Sequence, residues 1–300
     1  GLVEWLIKNP RVKIHVYALL IALSIGQQFF NGNIFRRDWE RQQEIFWQMK
    51  WRMPSLQPNT VILTDEIAVD YESDGSFIGP INWIYDPDFK RGNLHYLVLY
   101  TDNRLGKSLR SLEPHTDIQF RLRTVVFYGS TSQAVVIHMP ENGCLRVLDP
   151  ELGDHETYEK KLGNVVDAIH LTDTKRILPK ELEPPDFLST PERDWCYYYT
   201  KAELARQFKH WEQILLLQNE AGKNGFVSDD PFEWLPFIEA NAMTSNLQTA
   251  HKLSKEALDA DPRIRIGLCK VWERVQAANA GESDEETLIL TALSDFKCLP

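Results

Sequence analysis

The chain has 300 residues, 43% of them hydrophobic and 11% aromatic, which is enough apolar material for folded cores and excludes wholesale disorder. Its 33 basic residues face 43 acidic ones, a net charge of -10, and no run of Lys and Arg gathers into the basic patch that binding nucleic-acid phosphates requires. Length alone suggests about two domains.

The first element is the stretch 12–35, whose interior from Ile14 to Phe30 contains no Asp, Glu, Lys or Arg. A membrane-spanning helix needs about 20 mostly apolar residues, so this run suffices once its flanks contribute. Those flanks carry Lys8, Arg11 and Lys13 on one side and Arg36 and Arg37 on the other. Trp5, Tyr17, Trp39, Trp47 and Trp51 stand near the ends, as an interfacial belt would. We read 1–35 as a transmembrane helix with its flank, and the membrane as its partner through residues 12–35. The opposing reading is a buried helix of a soluble protein, which His15, Gln27 and Gln28 favour. Three basic residues before the run against two after it orient the C-terminal part outward, and the opening at Gly1 suggests the last crossing of a longer protein.

Residues 36–178 read as a mixed α/β domain, an α+β unit. Arg36–Met53 has helix-forming composition and extends the apolar helix until Pro54 and Pro58 stop it, because proline lacks the amide hydrogen a helix needs. Val61–Leu63 is a short strand ending in Thr64, Asp65 and Glu66. Ser73–Ser76 and Gly79-Pro80 read as turns, as does Arg91-Gly92-Asn93, and His95–Tyr100 is a second strand. Arg104–Leu112 could be a helix. From Ile118 the apolar period becomes two, and Ile118–Tyr128, Gln133–His138 and Cys144–Leu148 form a predicted antiparallel meander.

Residues 179–193 form a proline-rich linker. Behind it, 194–300 reads as an all-α array. Trp234, Ala240, the Asn246-Leu247 turn, Ala250, Ala257 and the closing Asp261-Pro262 make Asp230–Asp261 resemble a tetratricopeptide repeat, in which small residues let two helices approach closely. A weaker copy precedes it, offset by 36 residues, with Trp195–Phe208 as its first helix. Arg263–Ala278 supplies a capping helix with Ile266, Cys269, Val271, Trp272 and Val275 as its apolar face. Glu282–Glu286 reads as an acidic turn and Thr287–Phe296 as a last helix.

The tetratricopeptide likeness implies a concave partner-binding groove lined by Tyr199, Glu203, Arg206, Gln207, Leu235, Glu239, Ala242 and Met243, suited to an extended peptide, a neighbouring domain or the chain's own tail. Two acidic sites are weaker candidates. Asp86-Pro87-Asp88 has the DxD spacing that offers hard oxygen ligands to a divalent cation, though an aspartate-proline turn explains it as well. Asp65 and Glu66 end a strand, where α/β proteins place functional carboxylates. His95, His115 and His138 read as structural imidazoles, and Gly129–Ser132 as a hairpin turn. The four cysteines, Cys144, Cys196, Cys269 and Cys298, show neither CxxC nor metal-ligand spacing, so buried thiols are expected rather than zinc or a disulfide framework. No nucleotide-binding or hydrolase motif is present, so no catalytic site and no cofactor are expected within this chain.

The order of apolar span, Arg36–Glu40, Trp47–Pro54, the strand Thr60–Thr64, Gly129–Gln133, Cys144–Pro150 and a repeat pair is similar to the C-terminal part of large bacterial polytopic membrane proteins. Some of those resemble dolichyl-phosphate-mannose-type glycosyltransferases, whose catalytic carboxylates would lie in earlier loops. The resemblance implies a membrane-anchored extracytoplasmic interaction domain, or an accessory domain of an integral-membrane glycosyltransferase acting on lipid-linked sugars.

Overall fold

The computed structural model describes residues 2–67, 73–88, 92–158, 162–279 and 283–298; of Leu2, Ser283 and Asp284 only the backbone is described. Arg91 and Glu282, which two of the predicted turns include, lie outside them. The described fold mixes helices with small sheets, and the chain divides into two compact units, 1–44 with 69–71 and 45–68 with 72–300.

In the first unit a short helix α1 (Leu2–Leu6) precedes α2 (Pro10–Arg52), a single helix of 43 residues. At about 1.5 Å per residue it is about 65 Å long, and its most apolar window is long and apolar enough to cross a membrane. None of that window is buried, and Leu19, Ile21, Leu23, Ile25 and Phe29 are all exposed. That window therefore does not pack into the core of the described fold, as the opposing reading of a buried helix requires. Its polar flank is as predicted: Arg36 pairs with Glu40 one turn on, at 2.6 Å.

The second unit begins inside α2, where Ile45, Phe46 and Met49 are buried, as is Met53 just beyond its end. Strand β1 (Ser55–Leu56) pairs with the last strand, β9 (Ile177–Leu178). The central strand β2 (Thr60–Thr64) is buried throughout, as a Val-Ile-Leu run in a parallel sheet must be. Helix α3 (Asp74–Tyr85) then runs through the two predicted turns at Ser73–Ser76 and Gly79-Pro80. Burial explains the override. Phe77, Ile78, Ile81 and Ile84 are all buried, and Phe77 meets Phe46 edge-on with centroids 5.7 Å apart.

Asn82 ties α3 to the following chain. Its amide donates to Ile78 O and Tyr96 O at 2.7 and 2.8 Å, and its carbonyl accepts from His95 N and Tyr96 N, so every polar atom of this buried side chain is satisfied. Strands β3 (Asn93–Leu94) and β4 (Tyr96–Tyr100) lead into a single turn of helix, α4 (Thr101–Arg104). The predicted helix Arg104–Leu112 is replaced by a tight loop closed at Leu105 and Leu109. Arg104 instead forks onto buried Asp74, at 2.7 and 2.5 Å.

The predicted meander is divided between two sheets. β5 (Asp117–Leu122) and β6 (Val125–Ser130) pair antiparallel and join β3, whereas β7 (Ala134–His138) lies parallel to β2, with β8 (Arg146–Val147) antiparallel on its far side. A 3-10 turn at Thr131–Gln133 carries the chain from one sheet to the other, and Thr131 anchors it by donating to Glu113 O. The larger sheet therefore has the order β4-β2-β7-β8, with its first three strands parallel. Short helices α5 (Asp154–Thr157) and α6 (Asn164–Ala168) follow.

Six helices close the chain as three hairpins: α7 (Trp195–Gln207) with α8 (Trp211–Lys223), α9 (Leu235–Met243) with α10 (Leu247–Ala260), and α11 (Arg265–Ala278) with α12 (Ser283–Asp295). Pro236 sits in the first turn of α9, where its missing amide hydrogen costs nothing. Ile214, Ala221, Ala250 and Ala257 are buried. Ile266 departs from the predicted capping face and is 41% exposed.

The cysteines are not free thiols. Cys144 bonds Cys196 and Cys269 bonds Cys298, at sequence separations of 52 and 29. Such distant partners carry no local spacing signal, which is why the sequence concealed them. The first disulfide closes a loop around the proline-rich segment, which is docked on α2: Trp47 donates its indole N–H to Ser189 O at 2.6 Å, and Lys50 donates to Leu182 O. Cross-links spanning loops of this length contribute about 2–4 kcal/mol each. Reduction should lower the melting temperature by several degrees at least, on the scale of about 2–4 °C per kcal/mol, as followed by circular dichroism with and without dithiothreitol. An unchanged melting curve would contradict both pairings.

Candidate functional sites

The parallel sheet brings two of the predicted residues to one edge. Its first strand, β2, is flanked by the second, β4, on one side and the third, β7, on the other. The carboxyl end of β2 beside β7 is thus a topological switch point, where open α/β sheets form ligand crevices. Register pairs Thr64 with Ile137, so the next residues, Asp65 and His138, emerge together. Asp65 Oδ2 lies 2.8 Å from His138 Nδ1, an arrangement that orients the ring, and His138 lines the cavity beside it. Glu66 follows at this edge, with an exposed side chain and no ion pair among the described residues.

That cavity encloses about 380 Å³ between His138, Arg146, Tyr158 and the Asp229–Phe232 loop. Buried Arg146 lies beside the stacked rings of Tyr158 and Phe232, 5.9 and 5.8 Å from their centroids, and donates to Asp230 at 2.5 Å. Burial raises the Tyr158 phenol above its ordinary range, so it remains a neutral hydroxyl.

The second acidic candidate is turn chemistry. Asp86 caps the C-terminal end of α3 and pairs with His95 at 2.8 Å, while Asp88 stands exposed in the following turn. Among the described residues no group of His, Cys, Asp and Glu is arranged to hold a metal ion. Likewise the Gly129–Ser132 loop uses its groups internally: Thr131 N donates to Thr116 O, and Ser132 Oγ meets His115 Nδ1 at 3.0 Å.

The predicted groove on the hairpins is largely enclosed by the chain itself. Tyr199, Glu203, Arg206, Glu239 and Ala242 are buried, whereas Gln207, Leu235 and Met243 are half-buried. Arg206 donates to Glu239 at 2.6 Å and Glu203 at 3.0 Å, and Arg274 forks onto Glu239 at 2.7 and 2.9 Å. Burial would raise the Glu239 carboxyl, but Arg206 and Arg274 outweigh it and hold the group below its ordinary range. Gln207 accepts from Arg52 at 2.9 Å and donates to Thr174 O at 2.8 Å, linking the hairpins to the α/β layer. What remains open is a cavity of about 450 Å³ lined by Arg52, Asp149, Glu203, Arg206, Gln207 and Met243. The sequence offered no sign of Arg52, Asp149 or Arg274 here, because they come from three separate elements.

Near this cavity the Asp154 carboxyl accepts from Asp149 N at 2.7 Å. Burial pushes it up to about 7 from an ordinary 3.8; Glu203 adds to the rise, and the Asp149 amide and Arg206 oppose it. Gly153, just before it, has φ +82, and a Cβ there would meet the Lys270 side chain at 2.7 Å, so this tight approach needs glycine. A carboxyl whose folded pKa is raised favours the folded state most below its unfolded pKa, and that advantage is lost as pH rises from about 4 to 7. Asp154→Asn keeps the acceptor and removes the charge. It should raise the melting temperature at pH 8 and leave it unchanged at pH 4; equal shifts at both pH values would contradict this assignment.

Comparison with known proteins finds no matching family model, no matching curated protein and no matching solved structure.

Proposed function

We propose that this chain is a membrane-anchored extracytoplasmic interaction module, crossing the membrane through residues 12–35, with residues 45–300 outside and no catalytic role of its own. The observation that carries this reading is the pairing of all four cysteines on the C-terminal side of an apolar, unburied helix. Disulfides persist in oxidising compartments and are rare in a reducing cytoplasm.

The hairpins support a tetratricopeptide-like array. Their second helices begin at Trp211, Leu247 and Ser283, equally spaced by 36 residues, and the first helices α7, α9 and α11 pack in succession. With Tyr199, Glu203, Arg206 and Glu239 held by the chain's own α/β layer and ion pairs, a protein partner would engage the rim at Gln207 and Met243. The resemblance to bacterial polytopic membrane proteins is consistent with bracing of neighbouring membrane segments.

The test is sidedness. In intact cells, an impermeant reductant followed by an impermeant maleimide should label the chain, and maleimide without reductant should not. Labelling that requires permeabilised cells, or thiols that react without reduction, overturns the reading.

A second reading, an accessory domain of an integral-membrane glycosyltransferase contacting an acceptor glycan, is favoured by the 380 Å³ crevice, whose aromatic rings and fixed polar groups suit a hydroxyl-rich ligand. Calorimetric titration of mannose oligosaccharides into the detergent-solubilised chain should then give saturable heat that His138→Ala weakens. Absence of heat at millimolar ligand would sink it.

A further inference from the structure

Four arginines, Arg52, Arg146, Arg176 and Arg206, are at least nine-tenths buried, and Arg176 spends its guanidinium on Thr60 Oγ1 and Pro58 O, away from the two cavities. Two of them have carboxylates in hand: Arg146 holds Asp230 with Glu233 3.6 Å away, and Arg206 holds Glu203 and Glu239. Arg52 is different. Only 2% exposed, it makes no ion pair among the described residues; its one side-chain hydrogen bond goes to the neutral amide oxygen of Gln207, and its Nε has no partner. Glu203 and Asp149 attract it from a distance, but no carboxylate among the described residues is bonded to it, and natural folds normally satisfy a buried cation by direct pairing.

The guanidinium faces the 450 Å³ cavity, where a ligand can reach it. Most of the other charges there are already spent, since Arg206 and Arg274 neutralise Glu203 and Glu239. Lys209, in the positive-φ residue that ends the α7–α8 turn, lines the mouth and forms no ion pair among the described residues. Asp149 and Glu151 also line it. Two cations and two carboxylates outside the ion-paired set therefore share this cavity. A dianionic phosphate would add more repulsion from those carboxylates, at about 1–4 kcal/mol per close pair, than a single carboxylate, which gives the terminal nitrogens of Arg52 the charged acceptor they lack. Trp211 and Met243 offer apolar surface for the body of the ligand.

We propose that this cavity binds a small, singly charged organic acid, its carboxylate held by the terminal nitrogens of Arg52 and by Lys209. The site goes beyond the interaction reading above and stands whichever side of a membrane residues 45–300 occupy. An α-amino acid shares this carboxylate and would bring an ammonium toward Asp149, so the two sources are separated by using both probes.

The experiment uses the full chain in detergent micelles, titrated at matched ionic strength with sodium acetate, glycine, inorganic phosphate and, as reference, sodium chloride. Saturable calorimetric heat with acetate or glycine, accompanied by a higher melting temperature, is the expected result; a preference for glycine assigns the amino-acid source. Arg52→Met should weaken that binding at least about tenfold, the loss expected for one charged hydrogen bond, while melting no earlier than the parent in chloride. Lys209→Ala should weaken it less and leave folding unchanged. The proposal is overturned if no carboxylate saturates, if phosphate binds more tightly than either carboxylate, if Arg52→Met binds normally, or if Arg52→Met melts early in chloride, which would make Arg52 a structural cation already satisfied by its surroundings.

Discussion

Glu233 joins the α/β layer to the helical hairpins. This carboxyl group is 1% exposed, a depth at which polar atoms need hydrogen-bond partners. It accepts from Cys144 N at 2.7 Å, from the Trp195 indole at 2.6 Å and from Ser228 Oγ at 2.6 Å, with Arg146 3.6 Å away. Cys144 belongs to the approach to β8, Trp195 opens α7, and Ser228 precedes α9. One side chain thus fixes three segments at once. The Cys144–Cys196 bond joins the same two neighbourhoods covalently, so the hydrogen bonds and the cross-link reinforce each other.

The first candidate cavity adjoins that junction. The crevice at the sheet edge borders Asp229–Phe232, which the Glu233 contacts hold beside Arg146 and Tyr158. The cavity on the other side is bounded by α7, α9 and α11, whose facing charges Arg206, Glu239 and Arg274 would be destabilising singly and are tolerable only as a bonded set. Arg52 enters that set without a carboxylate of its own.

Much of the backbone was legible because its signals are local. The charge-free run from Ile14 to Phe30 lies within one helix, the Val-Ile-Leu run at 61–63 is a buried strand, and Ala250 and Ala257 mark a close helix pair. Two local readings failed where tertiary packing overrode them. Pro80 and Gly79 look like a turn, yet the apolar side chains of Phe77, Ile78 and Ile81 are worth more buried than the proline costs. The meander failed at Thr131–Gln133, because a short 3-10 turn and a hairpin loop have similar composition. The sites were less legible. Asp65 was visible at the end of a strand, but its partner His138 lies 73 residues away, and only the strand order makes them neighbours. Glu203, Arg206 and Glu239 were readable as a shared face that the chain's own tail could fill, but not as one met by Arg52 and Arg274.

The covalent link between Cys144 and Cys196 gives the proline-rich segment an unusual status. Residues 179–193 lie inside a ring whose closure is a sulfur–sulfur bond, and Leu188 is buried while Ser189 and Leu182 are gripped by α2. A protease that nicked this segment would open the ring without releasing a fragment. The two pieces would travel as one particle on a gel until a reductant parted them, so integrity of the main chain and integrity of the assembly are separate properties of this protein.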